Sequence, residues 1–173
     1  MELTKLYEVQ AELKKHIGYK GKDKFSKMML AMLVEFMECA NDWRGFKYWS
    51  ENPQPKETLL EEYVDGFHFV LETGLDLKEH TCIMMLPKEV ELTEGIHDNS
   101  EHRIVKQYKI LIGKVLELEI EVHNGVDYMD ESYEDFIYRY LLLGKLLGFT
   151  EEEIEQAYFK KNEVNHQRQD NGY

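Results

Sequence analysis

Residues 28–37 read MMLAMLVEFM, an apolar run broken only by Glu35. Extended on both sides, from about Ser26 to Trp43, it is long enough for a helix and too long for a strand. A helix apolar on nearly all sides is expected to be buried. Upstream, Leu3, Leu6, Leu13 and Ile17 share one face of a first helix, which Gly18 is placed to end. The intervening GYKGKDKF is a polar, glycine-containing loop. Downstream, RGFKYWSENPQPKE reads as a loop broken by Pro53 and Pro55. A third helix is expected over about Glu57 to Thr73. Its apolar stripe is Leu59, Leu60, Tyr63, Val64, Phe67, Val70 and Leu71, and Gly74 is expected to stop it.

Residues 76–100 carry the weakest pattern. CIMMLP reads either as a short strand or as a helical turn ended by Pro87. Helix returns from about Ser100 to His123, with Ile104, Tyr108, Leu111, Val115 and Leu118 at helical spacing. NGVDYMD is a loop. Ser132 with Asp135 resembles a capping box before a helix carrying Phe136, Tyr140, Leu143 and Leu147, ended by Gly148. Thr150 with Glu153 forms a second capping box, opening a last helix to about Arg168. The expected fold is all-α, a bundle of about six helices.

Composition narrows the function. The 173 residues are 43% apolar, enough for a core, with 21 Lys+Arg against 34 Asp+Glu, a net charge of −13. A surface that acidic repels nucleic-acid backbones and anionic lipid, so neither is expected as the main partner. Two cysteines, Cys39 and Cys82, are too few for a disulfide scaffold and suit a reducing compartment. No stretch reaches the ~20 apolar residues that span a bilayer, and no signal core is visible, so a soluble, cytoplasmic protein is expected.

The chemistry lies in polar residues set inside apolar helices. Glu35 and Glu38 fall one turn apart on the second helix, and Glu62 and Asp65 on the third. With 34 acidic residues in the chain, ~7 acidic pairs at this spacing arise by chance. The spacing alone therefore decides nothing; the placement within buried helices does. Ionised carboxylates in an apolar interior cost several kcal/mol each and repel one another. A hard divalent cation relieves both, and Mg²⁺ keeps water that phosphates can replace. These four are the candidate metal ligands and catalytic residues; the competing reading is a solvated face or partners of core lysines.

Gln10 interrupts the apolar stripe of the first helix. A buried amide either bonds the core or reads a base edge. Lys47 and Trp49 lie on the loop beside the carboxylate helix, where an aromatic either stacks on a base or caps the core. His68 is one turn beyond Asp65. Lys161, Asn165 and Arg168 form one stripe on the last helix, suited to phosphate oxygens or to plain solvation. There is no Walker loop, GxGxxG, HExxH or CxxC, so triphosphate chemistry here must rest on carboxylates and a metal.

Together, LYEVQ, AMLVEFMECAND, FKYWS, LLEEYVDGFHF with GLDL, and LLLGKLLGFTEEEIEQAYFKKNEVNHQRQDNGY resemble the dimeric all-α dUTPase family of the phage and Gram-positive branch. The resemblance covers the chain except about 78–130, a stretch that varies within the family. It implies a single domain over 1–173 with 78–130 as a variable inserted segment. It implies Mg²⁺-dependent hydrolysis of dUTP, and also dUDP, by a homodimer in which residues of both subunits sometimes share one site. By the same resemblance Glu35, Glu38, Glu62 and Asp65 hold the metal, with one glutamate of the second helix activating water. Gln10 and Trp49 match positions that hold uracil, His68 one near the deoxyribose, and Lys161, Asn165 and Arg168 phosphate contacts. Lys14, where an acidic residue is common, and Ser50, where some relatives have Lys, depart from the pattern.

Three other readings compete. A MazG-type pyrophosphatase shares the carboxylate arrangement with a broader base preference. A ferritin-like di-iron protein needs two ExxH pairs; Glu163 with His166 and Glu94 with His97 are the candidates. A non-enzymatic interaction protein would dock a partner on the amphipathic helix 100–123. Relatives in phage act on regulators, so such a role is compatible with catalysis, but the sequence names no partner.

Overall fold

The computed structural model describes residues 1–80, 85–93 and 100–172. Six helices account for most of them: α1 Thr4–Ile17, α2 Lys24–Trp43, α3 Leu59–His80, α4 Glu101–His123, α5 Asp130–Leu146 and α6 Glu151–Asp170. Helix α2 packs on α3 and α4, α4 on α5, and α5 on α3, closing a four-helix ring. Helices α1 and α6 pair with each other and lie against α3. Among the described residues the nearest approach to a sheet is one isolated antiparallel bridge, Glu2 to Glu89. Of the CIMMLP segment, residues 82–84 lie outside the described residues, as do Glu94 and His97.

The helix ends follow local chemistry. Gly18 adopts φ 62° and returns its N–H to the Lys14 carbonyl, closing α1. Thr150 and Glu153 form the reciprocal capping box that opens α6. The expected Ser132–Asp135 box does not form. Helix α5 starts earlier, at Asp130, because Met129 is fully buried and its carbonyl already accepts the Tyr133 N–H at 2.9 Å. Ser132 instead donates to Glu121 at 3.2 Å.

Gly74 does not stop α3; the helix runs on to His80. The glycine makes room for a ring. A Cβ at position 74 would lie 2.4 Å from the Tyr133 hydroxyl. That hydroxyl is fixed by the Tyr7 hydroxyl at 2.9 Å and the Val70 carbonyl at 3.1 Å. A reciprocal device joins α3 to α5. The Tyr63 hydroxyl donates to the Tyr140 carbonyl and lies over Gly144; the Tyr140 hydroxyl donates to the Tyr63 carbonyl and lies over Gly66.

One expectation about faces needs correction. Helix α2 is not buried all round: Leu30, Val34 and Met37 are 65%, 47% and 44% exposed and form one outward stripe. On α4, Ile104, Tyr108, Leu111, Val115 and Leu118 turn into this chain's own core, whereas Leu116 and Ile120 are exposed.

Replacing Gly74 by Ala sets two effects against each other. Helix propensity alone favours alanine by ~1 kcal/mol. Driving a methyl against an immobile tyrosine costs about 1–3 kcal/mol. Crowding is expected to win, so Gly74→Ala should lower the denaturation midpoint in urea; a raised midpoint would show that Tyr133 yields.

Candidate functional site

Helix α2 brings Glu35 against Glu62 and Asp65 of α3, and each can place a carboxylate oxygen within 4.8 Å of the others. Phe36 sets this register: its ring packs at Gly66, where an added Cβ would meet it at 3.1 Å. Burial, and then the charges of Asp65, Glu38 and Glu62, push the Glu35 carboxyl up from its ordinary 4.5 to about 7. Glu62 is raised by burial and by Asp65, Asp42 and Glu38. Burial raises Asp65 against the opposing pull of Lys161. Glu38 itself is exposed and stands outside the trio, near enough for its charge to act on Glu35 and Glu62. Three hard oxygen donors that repel one another fit a divalent cation.

Lys161 of α6 supplies positive charge to this cluster. Its buried ammonium lies 2.7 Å from Asp65 and 2.9 Å from Glu61. It is thus held by carboxylates here, although it belongs to the stripe expected to meet phosphates. Asp42, a turn beyond Glu38, is a structural acid. Burial opposes its ionisation, but the Lys56 ammonium and Thr58 hydroxyl prevail and hold its carboxyl below the usual range.

Beside the cluster lies a cavity of about 180 Å³ between α1, α3 and α6. Asp65 lines it together with Gln10, His68, Glu72, Asn165 and Arg168. Gln10 is almost wholly buried, and its amide is bound by side chains rather than by backbone. Its Nε2 donates to Glu72 at 3.1 Å, and its Oε1 accepts from Tyr158 at 2.7 Å and faces His68 Nδ1 at 2.9 Å. Burial and the Lys161 charge push His68 down to about 3, so the ring is neutral. At the outer end, His16 and His166 meet through Nδ1 at 2.8 Å, and His16 Nε2 lies 3.2 Å from Asp170. His166 therefore engages α1, and the acidic group that could hold a metal comprises Glu35, Glu62 and Asp65 without Glu163 or His166.

The structure brings Glu35, Glu62, Asp65, Gln10, His68, Lys161, Asn165 and Arg168 together around one cavity and its neighbouring acidic cluster. It does not bring Lys47 and Trp49 there. Lys47 bonds Asn41 at 2.7 Å, and Trp49, 64% exposed, packs edge-on against Phe46 and Tyr48. Glu61, Glu72 and Tyr158 escaped the sequence reading. A signal for Glu72 existed: Asp65, His68, Glu72 and Asp76 follow at helical spacing along α3. Asp65, His68 and Glu72 already fall inside the expected helix, and only Asp76 lies beyond its expected end at Gly74.

The chain matches the family model described as dUTPase over residues 2–173. It belongs to the all-α dUTPase family. A search of curated proteins finds no match. As a dUTPase, it hydrolyses dUTP to dUMP and pyrophosphate. Enzymes of this kind generally use a divalent metal, and the Glu35, Glu62, Asp65 cluster is the group in the described residues that could hold one. No helix of the described residues is long and apolar enough to cross a membrane.

The charge state of this dUTPase cluster is measurable without metal. A carboxyl whose folded pKa is raised from 4.5 to about 7 gives stability that is complete below about 4.5 and is lost as pH rises through about 7. Glu35→Gln removes that loss. In chelator, its melting temperature should gain on wild type progressively from about pH 5 to about pH 8; a constant difference would mean that Glu35 ionises normally.

Proposed function

We propose that Glu35, Glu62 and Asp65 hold Mg²⁺ and that dUTP lies with its nucleoside in the adjoining cavity and its phosphates toward the cluster. The observation that carries this is the position of Asp65, which borders both. Bound there, Mg²⁺ would neutralise phosphate charge and let the carboxylates ionise together. Glu38, outside the trio and exposed, is assigned to hold and deprotonate the attacking water at the rim of the cluster. Lys161 exchanges its carboxylate partners for phosphate oxygens as the substrate enters, with Asn165 and Arg168 further along the same face. Breaking the bond between the α- and β-phosphates then yields dUMP and pyrophosphate; dUDP fits the same site.

Gln10 faces the base and His68 the sugar side of the nucleoside. The oxygen of the Gln10 amide is already engaged, but one Nε2 hydrogen remains for a carbonyl of uracil. Cytosine carries an amino group at one of those positions, and a site built to donate there rejects it. Trp49 and Lys47 lie outside this cavity, so we assign them to the site of a second copy. The exposed Leu30, Val34 and Met37 stripe of α2 is the face such a homodimer would cover. The reading takes residues 1–173 as one unit acting in the cytoplasm, with 78–130 as its variable segment.

Pyrophosphate release from each deoxynucleoside triphosphate, with and without Mg²⁺, tests the reading. Turnover is expected for dUTP alone and only with metal, and Glu62→Gln should lose roughly 10²-fold or more. Comparable rates on all substrates would instead favour a broad pyrophosphatase of the MazG type.

Trans action of Trp49 has its own check. Trp49→Ala and Glu62→Gln chains, each impaired alone, should recover partial activity when mixed and refolded, because one hybrid site carries neither change. Absence of recovery would return Trp49 to its own subunit.

A further inference from the structure

The hydrogen-bond chain behind Gln10 dictates which face of His68 the cavity presents. Lys24 of α2 lies 2.7 Å from one Glu72 oxygen. The other Glu72 oxygen takes the Gln10 Nε2 hydrogen. A carboxylate only accepts, so the amide nitrogen must face Glu72 and the amide oxygen must turn away. That oxygen meets the Tyr158 hydroxyl and His68 Nδ1. An amide oxygen also only accepts, so both neighbours must donate. A neutral imidazole that donates from Nδ1 carries its lone pair on Nε2. His68 Nε2 is buried without a hydrogen-bond partner, on a ring that lines the cavity. The Tyr158 ring, stacked on His68 at 4.3 Å, keeps the imidazole in place.

We propose that Glu72 is a positioning residue that locks the Gln10 amide, and through it His68, so that the cavity offers an imidazole acceptor to a hydroxyl or N–H donor of its ligand. For the nucleoside placed there under the proposed function, on which this clause rests, the donor is the sugar hydroxyl or the uracil N3–H. The lock has a defined failure. With an amide in place of Glu72, the group beside Gln10 can also donate. Gln10 can then flip, its nitrogen faces His68 Nδ1, and the imidazole proton moves to Nε2. The cavity would then present a donor where it had an acceptor.

Nitrogen-15 spectra of histidine-labelled, ligand-free protein near neutral pH read the tautomer directly. Wild type should show His68 protonated at Nδ1 and bare at Nε2. Glu72→Gln should show a population protonated at Nε2, while Tyr158→Phe, which leaves Glu72 in place, should keep the wild-type tautomer. In turnover, Glu72→Gln should raise KM for dUTP by about tenfold, with a smaller change in kcat. Loss of binding for a 3′-deoxy analogue assigns the donor to the sugar, and loss for an N3-methyl analogue assigns it to the base. An Nε2–H tautomer in wild type overturns the proposal without any variant having to fold, as does an unchanged tautomer in a folded Glu72→Gln. The tautomer is read without nucleotide, so inactivity of the wild type toward dUTP would defeat the functional reading and leave this result standing.

Discussion

Helix α3 carries no side chain at position 66, and that gap sets the geometry around it. Phe36 of α2 enters from one side, and the Tyr140 hydroxyl of α5 from the other. The residue before the gap is Asp65 and the residue before Phe36 is Glu35. Close approach of the two helices therefore forces their carboxylates together. The packing energy of a buried aromatic contact, not any attraction between the acids, holds three like charges at one point. Lys161 offsets part of the repulsion from a third element, α6.

The cavity depends on the same helix. His68 and Glu72 continue the face of α3 that begins at Asp65, and α1 and α6 close over it with Gln10 and Tyr158. The cavity and the carboxylate cluster thus share one wall. A displacement of α3 against α2 would disturb both at once, whereas a displacement of α6 would move Lys161, Tyr158 and Asn165 together. The cationic stripe and the hydroxyl that fixes Gln10 ride on one rigid body.

Much of this was legible in the sequence. The carboxylate pairs stood out because charge inside an apolar run has a high energetic cost, and the α6 stripe because it is cationic in an acidic chain. Local patterns also located Gly18 and the Thr150–Glu153 box. What periodicity could not show is what meets a glycine in space. Gly74 reads as a terminator along the chain and acts as a socket for Tyr133, contributed from 59 positions further on. With Gly74 taken as a terminator, Asp76 falls outside the expected helix, whereas α3 runs on to His80. The exposed side of α2 was hidden for a related reason: an apolar residue looks the same whether its own chain covers it or not.

The Tyr63, Gly66, Tyr140 and Gly144 stitch behaves as a single inherited character. Each hydroxyl needs the other helix's glycine for room and the other tyrosine's carbonyl as acceptor. A side chain at either glycine would have to displace the opposing hydroxyl from the carbonyl to which it donates. Because Tyr63 follows Glu62 and Gly66 follows Asp65 in the chain, the same stitch that joins the two helices also fixes the backbone that carries the acids.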